Sequence, residues 1–382
     1  MADFRYHVPA ECYIGQDAIY KIPLILDGGP ERAILVADPE VRDARIAEKL
    51  VEVLTGRGIQ VITYDDLDGK PSSKAVEEAA ALSRGARAPL VIGLGNLRAL
   101  YIAKAVAGVA SSNASVDNWM DGDAPRKDPL PLILVPTTYR DPFLLSGGLI
   151  LTDARNGKAA FIQAPRGIET AVVLDPNLYP SQSGKAVAAA ILDGMMGAIE
   201  GYASSRENFL SDMALQEAVG LYIRALDVTI QHPEDPNARM DAARACFMAS
   251  LGLASAAPGL GTALSFAISA RWDIPKANLA VVILPYLLDL LSRSRPEKIA
   301  ALAPLFGEVD SEEGAAGAAA RAIESLRTRL GRLSIPSRLK DFELPLEQLV
   351  EAADTARRFD FMNFLPRAMT VDDVFDFIKT VY

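Results

Sequence analysis

Short apolar runs rich in β-branched residues alternate with segments of helical period through the first half of the chain. Arg32–Asp38 (RAILVAD), Ile59–Tyr64 (IQVITY), Pro89–Gly93 (PLVIG) and Leu132–Pro136 (LILVP) show little polar alternation, the pattern of strands buried on both faces. Val41–Gly56 and Ser73–Gly85 lie between them with apolar residues at helical spacing. That order predicts a parallel sheet with crossover helices. Gly147–Asp153, Ala159–Gln163 and Ala171–Asp175 are further expected strands, and Ala154-Arg155-Asn156-Gly157 has the chemistry of a hairpin turn between the first two. Asp175–Gly184 (DPNLYPSQSG) then concentrates turn-forming residues and is read as a domain boundary. Helical periods take over in Lys185–Ser204, Phe209–Gln231, Asn237–Ala256, Lys276–Ser292, Glu312–Leu330 and Leu346–Arg357. The expected architecture is an α/β domain over residues 1–180 and an all-α domain over 181–382.

Length agrees with two domains, since 382 residues exceed the roughly 250 to 300 at which single cores stop growing. A net charge of −10 without a dense basic cluster argues against nucleic-acid partners. No uninterrupted apolar stretch reaches the roughly 18 to 20 residues that span a bilayer, and the N-terminus lacks the apolar core of a signal peptide, so a cytoplasmic protein with no membrane association is expected. Cys12 and Cys246 stand far apart with no CxxC neighbour and are read as buried small hydrophobes. Small-molecule chemistry or protein partners remain.

Several local strings then narrow the fold. Val135-Pro136-Thr137-Thr138, Thr152-Asp153 followed by Gly157-Lys158, Val173-Leu174-Asp175-Pro176, Asp193 with Ala198-Ile199-Glu200-Gly201-Tyr202, Leu284-Pro285, and Pro366-Arg367 followed by Asp372-Asp373 occur in this order almost end to end. Together they resemble the iron-containing (group III) alcohol dehydrogenases of the dehydroquinate synthase-like superfamily. The resemblance implies a Rossmann-like nucleotide-binding domain, a helical metal-binding domain, a catalytic cleft between them, and a dimer or larger assembly, with itself or with another chain. It also implies hydride transfer between NAD(P) and an alcohol or aldehyde, with iron or zinc polarising the substrate oxygen.

The ligands for that metal are absent. The family motif uses one Asp and three His; Asp193 matches the aspartate, while Gly197, Leu264 and Lys276 stand at the histidine positions, the last after a gap of about two residues. The whole chain has two histidines, His7 and His232, too few for such a site. Nearby Glu200, Glu207 and Asp212 have no metal-ligand spacing and read as capping or surface acids. No iron or zinc is expected. Removing a dication strands Asp193 without a counter-charge, so Lys276 is predicted to pair with it, with Tyr101 or Arg271 as further members of the network.

The cofactor loops are altered too. The family's GGGSxxD phosphate turn reads Gly95-Asn96-Leu97-Arg98-Ala99-Leu100-Tyr101, and its TTxGTGSE loop reads Thr137-Thr138-Tyr139-Arg140-Asp141-Pro142-Phe143-Leu144. Bulky or charged residues replace those that let backbone N–H groups reach a pyrophosphate. Asp38 matches the ribose-contacting acid and equally suits a helix cap. By the resemblance, Asp38, Gly93, Gly95, Arg98, Thr137 and Thr138 would contact NAD(P), weakly if at all, and Asp193 with Lys276 would mark the old catalytic centre. Three readings follow: a non-catalytic paralogue with a regulatory or heteromeric role, a metal-independent NAD(P)-dependent oxidoreductase, or a lyase acting on an anionic substrate through Arg98, Arg140, Lys276 and Tyr101.

Overall fold

The computed structural model describes residues 4, 6–26, 29–67, 69–112, 114–164, 169–307, 314–333 and 335–382. The chain divides into two compact units, Val8–Ser181 and Gln182–Tyr382, the second joined by the N-terminal segment up to His7. That segment, assigned from sequence to the α/β domain, is held to the helices because the Tyr6 hydroxyl donates to the carbonyl of Leu251 at 3.1 Å and Phe4 meets Phe209 edge to face.

The first unit runs β1 (Glu11–Ile14), α1 (Ile22–Ile25), β2 (Arg32–Ala37), α2 (Pro39–Asp43), α3 (Ile46–Thr55), β3 (Gln60–Tyr64), α4 (Ser73–Ala86), β4 (Val91–Gly95), α5 (Leu97–Ala110), α6 (Val116–Met120), β5 (Leu132–Pro136), β6 (Gly148–Thr152), β7 (Ala159–Gln163) and β8 (Glu169–Leu174). Six strands form a parallel sheet in the order β1-β8-β5-β4-β2-β3. Its central strands are buried on both faces, which is why they read as continuous apolar runs. β6 and β7 pair with each other antiparallel, as the turn chemistry requires, and stand outside the main sheet.

Four details depart from the sequence reading. Val41–Gly56 is two helices, because Arg45 adopts a left-handed conformation (φ 59°) between α2 and α3. β4 lies two residues later than expected, which brings Leu94 and Gly95 into the strand. The edge strand β1 carries no alternation strong enough to mark it, and Cys12 on it is only half-buried, unlike Cys246. Glu312 and Glu313, the expected start of a helix, lie outside the described residues, and that helix is seen from Gly314.

The second unit is helical: α7 (Gly184–Ala203), α8 (Phe209–Thr229), α9 (Pro236–Leu253), α10 (Leu260–Arg271), α11 (Lys276–Ser294), α12 (Pro296–Leu302), α13 (Gly314–Gly331), α14 (Leu349–Arg357) and α15 (Val371–Val381). α7 is apolar on nearly every side and is surrounded by α8, α9, α10 and α11, so it forms the core of the unit. α7 and α11 are long and apolar enough to cross a membrane, but 94% and 56% of their most apolar windows are buried inside the protein.

Candidate functional site

Asp193 projects from the middle of α7, with its side chain fully buried. Lys276 is the first residue of α11, placed there by Pro275, and its side chain is 6% exposed. An ammonium at a helix N-terminus opposes the helix dipole. Here it is compensated, because the Lys276 Nζ donates to the Asp193 carboxylate and lies 4.5 Å from the centre of the Phe266 ring. The anticipated pair is therefore present. Of the residues expected to extend it, Arg271 faces Glu351 at 3.7 Å, and the Tyr101 hydroxyl donates to Asp141 at 2.9 Å.

The donor set around Asp193 does not suit a transition metal. Its carboxylate is already neutralised by an ammonium, and the neighbouring ligand positions hold Gly197 and the buried Leu264, neither of which offers a side-chain donor. Among the described residues no group of three His, Cys, Asp or Glu is placed to hold a metal ion. His7 and His232 are exposed.

Glu200 lies seven residues after Asp193 on α7, and it caps another helix. Its carboxylate accepts from the backbone N–H of Gly259 (3.0 Å), Gly261 (2.5 Å) and Thr262 (3.2 Å) and from the Thr262 hydroxyl (2.6 Å), satisfying the first turn of α10 from outside. Burial pushes its carboxyl up, and these four donors pull it back down. Glu207 and Asp212 face Lys298 and Arg295. All three acids thus have electrostatic or capping duties.

In the α/β unit, Asp38, Gly95 and Thr137 stand at the C-terminal ends of neighbouring strands, the place where open parallel sheets bind ligands. Asp38 precedes α2 but its side chain does not cap it. Instead one oxygen accepts from the Asn96 N–H at 2.6 Å and the other from Arg98 Nε at 2.6 Å. Arg98 also donates to Glu40 at 3.0 Å and to the Gly69 carbonyl at 3.3 Å. The Asn96 side chain accepts from the Arg98 N–H, so the Asn96 and Arg98 amides at the start of α5 are used internally. A pyrophosphate at this turn would have to displace these bonds. Burial pushes the Asp38 carboxyl up to about 6, outweighing the opposing pull of Arg98.

Gly93 and Gly95 each have a steric reason within the fold itself. A Cβ at Gly93 would come 2.7 Å from that of Ala103, and Gly95 (φ +143°) lies against the Asp38 carboxylate. The second loop is likewise filled by its own residues. The Thr137 N–H donates to the Gly95 carbonyl at 2.8 Å, Thr138 is buried, Tyr139 stacks on Tyr179 at 4.3 Å, and Asp141 accepts from the Phe143 N–H.

Sequence reasoning missed Lys104. Fully buried on α5, it donates to the carbonyls of Phe143 (2.5 Å), Ser146 (2.8 Å) and Gly148 (3.4 Å) and so fixes that loop. Its signal was a lone cation in an apolar helix, Ile102-Ala103-Lys104-Ala105-Val106.

Comparison with known proteins bears on the same regions. The family model for iron-containing alcohol dehydrogenase matches residues 9–176, and that for the C-terminal part of the Fe-containing alcohol dehydrogenase family matches residues 187–382. The chain is 26% identical to Long-chain-alcohol dehydrogenase 1 of Geobacillus thermodenitrificans over 380 residues, covering 96% of this chain and 94% of that one. It is 26% identical over 344 residues to the 1,3-propanediol dehydrogenase of Klebsiella pneumoniae, with 88% of each covered. A crystal structure of 1,3-propanediol oxidoreductase matches with a TM-score of 0.92 at 22% identity over 100% of both chains. That of sulfoacetaldehyde reductase from Bifidobacterium kashiwanohense in complex with NAD+ matches at 0.86, also 22% identical, over 100% of this chain and 99% of that one.

Proposed function

The chain belongs to the iron-containing alcohol dehydrogenase family, and from that membership we propose that it keeps the family fold without the family's metal-dependent hydride transfer, as a non-catalytic paralogue with a regulatory or heteromeric role. The observation that carries this reading is the buried Lys276–Asp193 pair, which supplies internally the positive charge a dication would bring. The occupied amides of the Gly95–Arg98 turn support it, because a cofactor that does the redox chemistry must first be bound.

A second reading rests on the same ammonium. A fixed cation can polarise a carbonyl, so Lys276 would serve a metal-independent NAD(P)-dependent oxidoreductase. The lyase reading loses support, since Arg98 and Tyr101 are both engaged inside the protein.

Elemental analysis of the purified protein together with titration of NAD, NADH, NADP and NADPH tests the proposal. Neither iron nor zinc at stoichiometric level, and dissociation constants no tighter than about the upper micromolar range, are expected. One tightly held ion per chain that is lost in Asp193→Ala, or tight nucleotide binding with turnover of a primary alcohol or its aldehyde, would overturn it. Tight nucleotide binding with turnover but no metal would select the second reading.

A further inference from the structure

The helical unit contains a cavity of about 470 Å³ that neither the Asp193–Lys276 pair nor the altered cofactor turns account for. Its walls are apolar, formed by Leu260, Leu287, Leu290, Leu291, Leu365 and Phe377 from α10, α11, α15 and the segment before α15. Its size lies within the range of about 300 to 1,000 Å³ typical of small-molecule sites.

The charges around the cavity are not equivalent. Glu200 at its inner wall is saturated by the α10 donors. At the rim, Asp289 is bonded to Arg327 at 2.9 Å, Asp373 accepts from the Thr370 N–H and hydroxyl at 2.8 Å each, and Asp376 is paired with Lys379. The two rim arginines, Arg293 and Arg367, are exposed and make no hydrogen bond or ion pair among the described residues, although Arg367 lies within the field of Asp373. The acids are thus committed and the guanidinium groups are not. A guanidinium fork suits a carboxylate, which it can bind through two parallel N–H donors.

We propose that this cavity binds an amphipathic monocarboxylate, its acyl chain of roughly eight to twelve carbons between α11 and α15 and its carboxylate at the rim against Arg293 and Arg367. The anionic head stays at the rim because the α10 amides and the Thr262 hydroxyl at the inner wall are already held by Glu200 and offer it no donor. The inference is independent of the proposed function, since it uses none of the residues of the Asp193 pair or the Asp38 turn, and the protein would bind such a ligand whether or not it carries out hydride transfer.

Calorimetric titration of the full chain with decanoate, decanol and decylamine tests it. One saturable site for decanoate is expected, with affinity at least about tenfold above that of either uncharged or cationic probe. The exposed substitutions Arg293→Gln and Arg367→Gln together should reduce decanoate affinity to that of decanol, and Leu290→Trp, which fills the cavity, should weaken all three probes. No saturable decanoate binding, equal binding of the three probes, or a decanoate affinity unmoved by the arginine pair or by Leu290→Trp would overturn the assignment. Metal content and nucleotide titration are unaffected by any of these outcomes, so this proposal and the preceding one fail separately.

Discussion

Lys276 and Asp193 form a buried ion pair that joins α7 to the first residue of α11. Both side chains are buried, and each supplies the other with a compensating charge. Lys276→Ala is therefore expected to cost about 3 to 5 kcal/mol, the range for stripping one partner from a buried pair. Replacing both, as Asp193→Leu with Lys276→Met, should recover part of that loss, because both members of the pair are then removed together. Urea denaturation of the two variants beside the native chain checks this; a fully stable Lys276→Ala would show that the pair contributes nothing. Lys276 was legible in the sequence from its motif position. The Asp38–Arg98 pair was not, because the partners are sixty residues apart and each has an ordinary local reading, as a helix cap and as a residue of a helix's first turn.

At the level of elements, helix ends are where this chain departs most from local rules. α10 begins at Gly259, which has no side chain to cap it, and the missing acceptor comes from Glu200 on α7. Glu200→Ala should leave the first amides of α10 unsatisfied in a buried setting and cost about 1 to 3 kcal/mol. Hydrogen exchange at Gly261 and Thr262 is the direct readout, and unchanged protection there would refute the capping role. Lys104 acts in the opposite direction, a helix side chain that gathers the loop carbonyls of Phe143, Ser146 and Gly148. Every strand but the edge strand β1 and most helices were legible, since burial on both faces writes continuous apolar runs. α15 was missed although its period is strongly helical, and the broken α2–α3 segment was read as one helix because nothing in its apolar spacing marks the left-handed Arg45.

Over the whole molecule, the buried acids set a pH dependence whose sign can be stated. The Asp38 carboxyl is raised from 3.8 to about 6 in the folded state, so the native protein holds a proton there that the unfolded chain has released. Its stabilising contribution is full below 3.8 and is lost as pH rises to about 6, a span worth on the order of 3 kcal/mol. The depressed Asp153, buried and held by Arg155, acts only at lower pH. Denaturation at fixed pH values should show stability falling between about 4 and 6 and a flatter profile in Asp38→Asn; identical profiles would show that Asp38 titrates normally. The sequence by itself determined the class of each half, the family, and that the chain has only two histidines. Apolar period is a local property, and a missing histidine needs no coordinates to be noticed. Only the tertiary structure decided which charges meet, that the Asn96 amide is held by Asp38, and that a lined cavity lies between α11 and α15. Those depend on contacts between residues far apart in the chain, and no local pattern encodes which distant partner a buried charge will find.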